Sequence, residues 1–282
     1  MLINGRLFDF NKPLTMGVIN LTSDSFHSGS RAAGVEAAVA LSGKMIADGA
    51  DILDFGAYST RPGAGDVNVK DEIAALIPVI EKVAAAFPEM IISADTFRSE
   101  VARAAVKAGA QIINDVGGGL FDPAMFETVA SLGVPYILMH NRSMPQTMNQ
   151  HADYKDVVND VVLELSQKVH DLRLAGVSDI IIDPGFGFAK TVEHNYEMMM
   201  RLEEFHIFGL PILVGISRKS MIWRTLNTTP EHALNGTTAL HMLALERGAG
   251  ILRVHDVKEA REAIAIWERC LPYRQTNPTY KG

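Results

Sequence analysis

The sequence predicts an α/β protein built as a single (β/α)8 TIM barrel, and three observations predict it. Eight short, β-branched apolar runs alternate with longer stretches of helical period. The alternation fills roughly 250 residues, the length such a barrel requires. Each run also ends in polar residues, as strands do when their C-terminal ends share one mouth. A doubly wound open sheet accommodates the same alternation and is the second reading at this stage.

In chain order, the runs are 15–20, ending at Asn20; 51–56, carrying Asp54; 90–95, ending at Asp95; and 110–115, ending in Asn114 and Asp115. They continue with 134–140, ending at His140; 179–184, carrying Asp183; 210–215, followed by Ser217, Arg218 and Lys219; and 250–255, ending in Arg253 and His255. Between them, Tyr154, Val157, Val158, Val161, Val162, Leu165, Val169 and Leu172 form an apolar stripe at i, i+3, i+4 spacing. That stripe predicts a core-facing helix stopped by Gly176, as Gly109 stops the helix before it. Asp122 and Pro123 read as the N-cap and first residue of another helix, which frees Asn114 and Asp115 from capping. Taken singly, Asp54, Asp95, Asn114 or Asp115 could as well cap the next helix; as a set of polar strand ends they point to the mouth.

One domain is expected over 1–272, with a polar, frayed tail at 273–282. The connections 21–34 and 57–69 are longer than the architecture needs and read as lids over the mouth. With 48% apolar and 21% charged residues the chain has ample material for a core. A net charge of −7 argues against nonspecific binding to nucleic acid or to anionic membrane, so any positive site is local. No leader pattern and no long apolar run is visible, and the one cysteine, Cys270, reads as a small core filler on a helix; the expected compartment is the cytoplasm.

The positive residues gather where this fold holds phosphates, after the seventh and eighth strands: Arg218, Lys219, Arg253 and His255. The glycines of "DPGFGFAK", 183–190, make either a tight turn or bare backbone for a flat ligand. They are not a dinucleotide fingerprint or a Walker loop. There is no His-Glu-x-x-His or paired-cysteine spacing for a zinc cage, which leaves a hard cation arriving with a phosphate and touching an oxygen such as that of Asn20. His140 reads as core or pocket wall.

The blocks "GVINLTSDSF", "GAYSTRPGA", "ISADT", "IINDV", "LMH", "IIIDPGFGFAKTVEHN", "VGISRKSM" and "RVHDV" follow one another in order from residue 17 to 257. Together they resemble the signature blocks of the bacterial dihydropteroate synthases. The resemblance implies a (β/α)8 barrel, a homodimer, Mg2+ and a transferase of folate biosynthesis inhibited by sulfonamides. It would condense 6-hydroxymethyl-7,8-dihydropterin diphosphate with 4-aminobenzoate and release pyrophosphate. It further implies that Asp95, Asn114, Asp183 and Lys219 bind the pterin, with Arg253, Met139 and Phe188 about its ring. Asn20, Arg253 and His255 would hold the diphosphate, with Asn20 on the metal. Phe26, Thr60, Arg61, Pro62 and Ser217 would shape the aminobenzoate site, and Asp24 would stabilise developing positive charge, making Asp24, Lys219 and Arg253 the catalytic set. Ser23 and the stretch Ser28, Gly29, Ser30 depart from the usual Pro and Asp-Gly-Gly of the first loop. A related pterin-binding methyltransferase domain and a silent pterin-binding paralogue are the competing readings.

Overall fold

The computed structural model describes residues 1–3, 6–8, 10, 12–21, 31–58, 67–143 and 152–273. Among them, eight parallel strands form one sheet: β3 (Leu14–Asn20), β4 (Ile52–Gly56), β5 (Ile91–Asp95), β6 (Ile112–Asp115), β7 (Tyr136–Met139), β8 (Ile180–Asp183), β9 (Leu213–Val214) and β10 (Ile251–Val254). Their order is β8-β7-β6-β5-β4-β3-β10-β9, and a parallel bridge between Ile182 and Ile212 brings the two edges together into a barrel. All eight lie within the runs expected from the sequence or overlap them by all but one residue, and the open sheet is excluded.

Alternation along each strand sorts the side chains into two shells. One set points outward, including Leu53, Phe55, Ile92, Ile113, Leu138, Ile182, Val214 and Val254, and packs on the helices in the main core. The other set points inward. Its lowest layer is Met16, Ile52, Ile91, Ile112, Ile137, Ile181, Leu213 and Ile251, nearly all aliphatic and buried. A two-stranded hairpin, β1 (Leu2–Ile3) and β2 (Arg6–Leu7), caps this end; Ile3 joins the layer and Met1, Phe8, Phe10 and Leu14 pack beneath it. The sequence reading did not include the hairpin, because strands of two residues carry no measurable period.

The helices are α1 (Arg31–Ala47), α2 (Val69–Ala86), α3 (Ser99–Ala108), α4 (Met125–Leu132), α5 (Val157–Ala175), α6 (Val192–Met200), α7 (Ser220–Thr225), α8 (Leu234–Glu246) and α9 (Val257–Cys270). The stripe on α5 buries Val157, Val158, Val161, Leu165, Val169 and Leu172, and Gly176 ends the helix at φ 97°. Its N-cap is Asp156, whose carboxylate accepts from the Val158 and Asn159 amides, so Tyr154 precedes the helix.

Three expectations are corrected. Helix α4 begins at Met125, after Asp122 and Pro123; Asp122 Oδ1 accepts locally from the Ala124 amide at 3.0 Å, and its Oδ2 accepts from the Ser99 amide at 2.7 Å, at the start of the neighbouring α3. Asp115 is not free for the mouth: it points outward and accepts from the Gly117 and Gly119 amides and from the Tyr136 hydroxyl. Cys270 is exposed at the end of α9, whose core face is Val257, Ala260, Ala263 and Ile264. Apart from Tyr273, the tail lies outside the described residues.

Candidate active site

Above the aliphatic floor, the inward positions turn polar. Asp54 on β4, Ser93 and Asp95 on β5, Asn114 on β6, Asp183 on β8 and Arg253 on β10 all project into the barrel beneath its C-terminal mouth. Arg253 joins them: its Nε donates to Asp54 Oδ2 at 2.7 Å and its Nη2 to Asp95 Oδ2 at 2.6 Å. The same Asp54 oxygen accepts from Asn114 Nδ2 at 2.9 Å, so the amide oxygen of Asn114 is turned away from Asp54. Burial works against the Arg253 charge, but the two carboxylates outweigh it and raise its pKa further above an already high value. Burial, aided by Asp54, pushes Asp95 up to about 7 against the pull of Arg253.

On the opposite wall, Asp183 Oδ1 accepts from the Gly185 amide at 2.8 Å. Burial raises its pKa, and Lys219 is the leading opposing charge. Lys219 follows β9; its Nζ donates to the Phe186 carbonyl and lies 4.6 Å from the centroid of the Phe188 ring. Burial lowers its pKa to about 8, Asp183 opposing and Arg253 reinforcing the shift. Gly215 leaves room beside both cations: a Cβ there would come 3.9 Å from Lys219 Nζ and from Arg253 Cβ. The site thus holds a carboxylate on each side of a lysine and an arginine that both reach inward.

Its apolar wall is a separate cluster of Phe97, Val116 and Met139, with Tyr58, Phe121 and Phe188 packed on it. Phe97 meets Tyr58 and Phe121 edge to face, with centroids 4.9 and 5.4 Å away. A flat heteroaromatic ring with a donor-rich edge suits such a pocket, since aromatic and thioether surface takes its faces and carboxylates take its edge.

At the rim, the Ser217 hydroxyl accepts from the His255 amide at 3.2 Å and sits 3.1 Å from His255 Nδ1. Crowding of the imidazole by protein, with Arg253 nearby, lowers its pKa to about 4. His255 is therefore a neutral donor at neutral pH. Arg218, expected among the anion-binding cations, is instead held by Asp256 through two bonds, Nε to Oδ2 at 2.8 Å and Nη2 to Oδ1 at 2.6 Å. Asn20 ends β3 at the exposed rim. Asp24, Phe26, Thr60, Arg61 and Pro62 lie outside the described residues.

The sequence reading brought Asp95, Asn114, Asp183, Lys219, Arg253, Met139 and Phe188 to one pocket, and they meet there. It placed Asp54 among the strand ends at the mouth but gave it no role there, although it is wholly buried and shared by two of them. The available signal was the alternation Ile52, Asp54, Gly56, which puts Asp54 on the inward face with the floor residue below it.

Residues 16–255 match the family model described as pterin binding enzyme. The dihydropteroate synthase of Escherichia coli strain K12 is 42% identical over 273 residues, covering 96% of each chain. The chain belongs to the dihydropteroate synthase family of pterin binding enzymes. Solved dihydropteroate synthases share its fold throughout. One from Xanthomonas albilineans with 4-aminobenzoic acid superimposes with a TM-score of 0.87 at 40% identity, covering 95% of this chain and 96% of the other. The Xanthomonas albilineans dihydropteroate synthase in complex with 7,8-dihydropteroate gives a TM-score of 0.84 at 38% identity, covering 95% and 97%.

Proposed function

We propose that this chain is a dihydropteroate synthase that joins 6-hydroxymethyl-7,8-dihydropterin diphosphate to 4-aminobenzoate, giving 7,8-dihydropteroate and pyrophosphate. The observation that carries this reading is the convergence of Asp95, Asn114, Asp183, Lys219 and Arg253 on one aromatic-walled pocket in a chain of this family. The carboxylates and the Asn114 carbonyl accept from the amino and ring N–H edge of the pterin, while Lys219 donates to its acceptor atoms. A ligand without that edge leaves buried acceptors unpaired, which makes the selection steep.

The exocyclic CH2–O bond to the diphosphate breaks as the ring donates electrons to that carbon. The amine nitrogen of 4-aminobenzoate then forms the new C–N bond and loses a proton, and pyrophosphate departs. Arg253 and the neutral His255 serve the leaving group as fixed donors. The amine needs placement more than activation, a task we give to Phe26, Thr60, Arg61, Pro62 and Ser217, with Asp24 facing the developing positive charge.

Asn20 offers one hard oxygen at the rim, and no cluster of three or more His, Cys, Asp or Glu suited to a metal occurs among the described residues. That donor set fits Mg2+ delivered by the diphosphate better than a resident cage. When bound, the ion would neutralise charge on the departing pyrophosphate. We also assign the cytoplasm as the compartment, on the acidic balance and the lone cysteine, and a homodimer as the working form. The latter draws support from Leu243 on α8 and Ile266 on α9, which are exposed at 39% and 59% beside a shallow apolar groove.

The test is pyrophosphate release from the dihydropterin diphosphate with and without 4-aminobenzoate and Mg2+. Release that requires the aminobenzoate and yields dihydropteroate is expected. Tight pterin binding with no release would reject the synthase and favour a silent pterin-binding paralogue.

Asp54→Asn keeps the volume but removes the charge facing Arg253. Its expected effect is a rise of about tenfold or more in the KM for the pterin substrate, the scale of one charge-assisted hydrogen bond, with the 4-aminobenzoate KM unchanged. Equal shifts in both constants would count against this placement.

A further inference from the structure

The segment between β8 and α6, 183–190, carries Asp183 and Phe188, both given pterin contacts above, yet its backbone is hard to hold. Gly185, Gly187 and Ala189 take φ values of 75°, 78° and 49° in alternation. The last is costly for a residue with a Cβ. At Gly185 a Cβ would stand 2.0 Å from the His140 carbonyl oxygen, so bare backbone is pressed against the end of β7.

Lys190 closes this segment from behind. Its Nζ reaches three acceptors, His140 Nδ1 at 2.9 Å and the carbonyls of Gly185 and Phe188 at 3.1 Å each. Burial lowers the Lys190 pKa to about 7 against the pull of Asp183; in its ammonium form it has three N–H donors, and all three are used. His140 is fully buried and its Nε2 lies 2.9 Å from Glu164 Oε2. Burial and the Lys190 charge hold the imidazole down to about 3, so it is neutral. A neutral ring that accepts at Nδ1 must carry its proton on Nε2 and donate it to Glu164. Glu164 is in turn gripped by Arg142, through Nε at 3.0 Å and Nη2 at 2.5 Å to Oε1. The line Arg142, Glu164, His140, Lys190 therefore runs from the connection after β7, through Glu164 on α5, to the back of the segment.

On the pocket side the segment is held by Lys219, which donates to the Phe186 carbonyl. The function proposed above draws Lys219 onto a ligand and away from that carbonyl, which leaves the segment to its rear support. We propose that Lys190 is a positioning residue that pins 183–190 to His140, so that Asp183 and Phe188 keep the shape of the pterin site when Lys219 changes partner. This inference rests on the pterin-binding reading of the pocket. Lys190 itself touches no substrate; it acts through the backbone that carries those that do.

The test replaces Lys190 by Met in the full chain, with Lys190→Gln, which retains two donors, as a second variant should the first not fold. Expected is a rise of about tenfold or more in the KM for the pterin diphosphate, since small displacements of a binding group carry such penalties, with kcat and the 4-aminobenzoate KM within about twofold. Amide hydrogen exchange over 184–190 is expected to quicken by at least about tenfold while β7 and β8 stay protected. A fall in kcat and melting temperature with both KM values unchanged would mark a merely structural residue and overturn the proposal, as would unchanged exchange over the segment. Exchange is read without turnover, so an inactive wild-type chain would reject the synthase while the pin is still decided.

Discussion

Lys219→Ala is expected to lower kcat by roughly 10^2- to 10^3-fold, the loss seen when one preorganised donor is removed from a desolvated site. The fold should survive. Burial lowers the Lys219 pKa to about 8, so between that value and the ordinary lysine value the unfolded chain binds the extra proton. Its charged form is therefore a burden on the folded state below pH 8, relieved as pH rises. Removing the side chain lifts that burden while exposing the Phe186 carbonyl and isolating Asp183, and the two changes oppose each other. Steady-state kinetics beside a thermal melt check both statements. Unchanged turnover would remove Lys219 from the site.

Arg253→Ala has the larger structural consequence. The resemblance alone casts Arg253 as a substrate ligand whose loss would chiefly weaken diphosphate binding. In the barrel it also neutralises Asp54 and Asp95, whose side chains are 0% and 15% exposed. Taking away the cation bonded to both members of a buried carboxylate pair among the described residues leaves the charge stranded, at a cost of about 3–5 kcal/mol. For a chain of this size that is a fall of roughly 10 °C in melting temperature. The pH dependence has a definite sign. Asp95 is already raised to about 7, and without Arg253 it rises further. A carboxyl with a raised folded pKa contributes stability below its unfolded pKa and loses it as pH climbs through the folded value. The variant should therefore be nearest to wild type at pH 5 and most deficient at pH 8. Equal melting temperatures for the two proteins at pH 8 would show that the carboxylates do not depend on this arginine.

The barrel was legible because its strands are buried on both faces, so their centres, such as 180–182 and 212–214, are unbroken apolar runs that give way to polar residues at Asp183 and Ser217. Asp95, Asn114 and Asp183 could be read from those ends alone. Asp54 was read to the mouth in the same way, but its role was not, since that lies in Arg253, 199 residues along the chain, and a lone aspartate near a strand end looks the same as a helix cap. Asp122 shows the converse: its local N-cap pattern was legible and one oxygen does accept from the Ala124 amide, but the tertiary bond that its other oxygen takes from Ser99 of the adjacent helix was not. Arg218 looked like a free cation because Asp256, which neutralises it, sits on another loop. Lys190 stayed unread for a related reason, as two of its three partners are carbonyls, which have no identity in a sequence.

The stopped lower end of the barrel governs traffic through it. With the aliphatic layer and the hairpin of Leu2–Ile3 and Arg6–Leu7 closing one end, the polar residues above that floor face the C-terminal mouth among the described residues. For the proposed reaction this means that the dihydropterin diphosphate and the 4-aminobenzoate share one approach, and the joined product leaves by the same way.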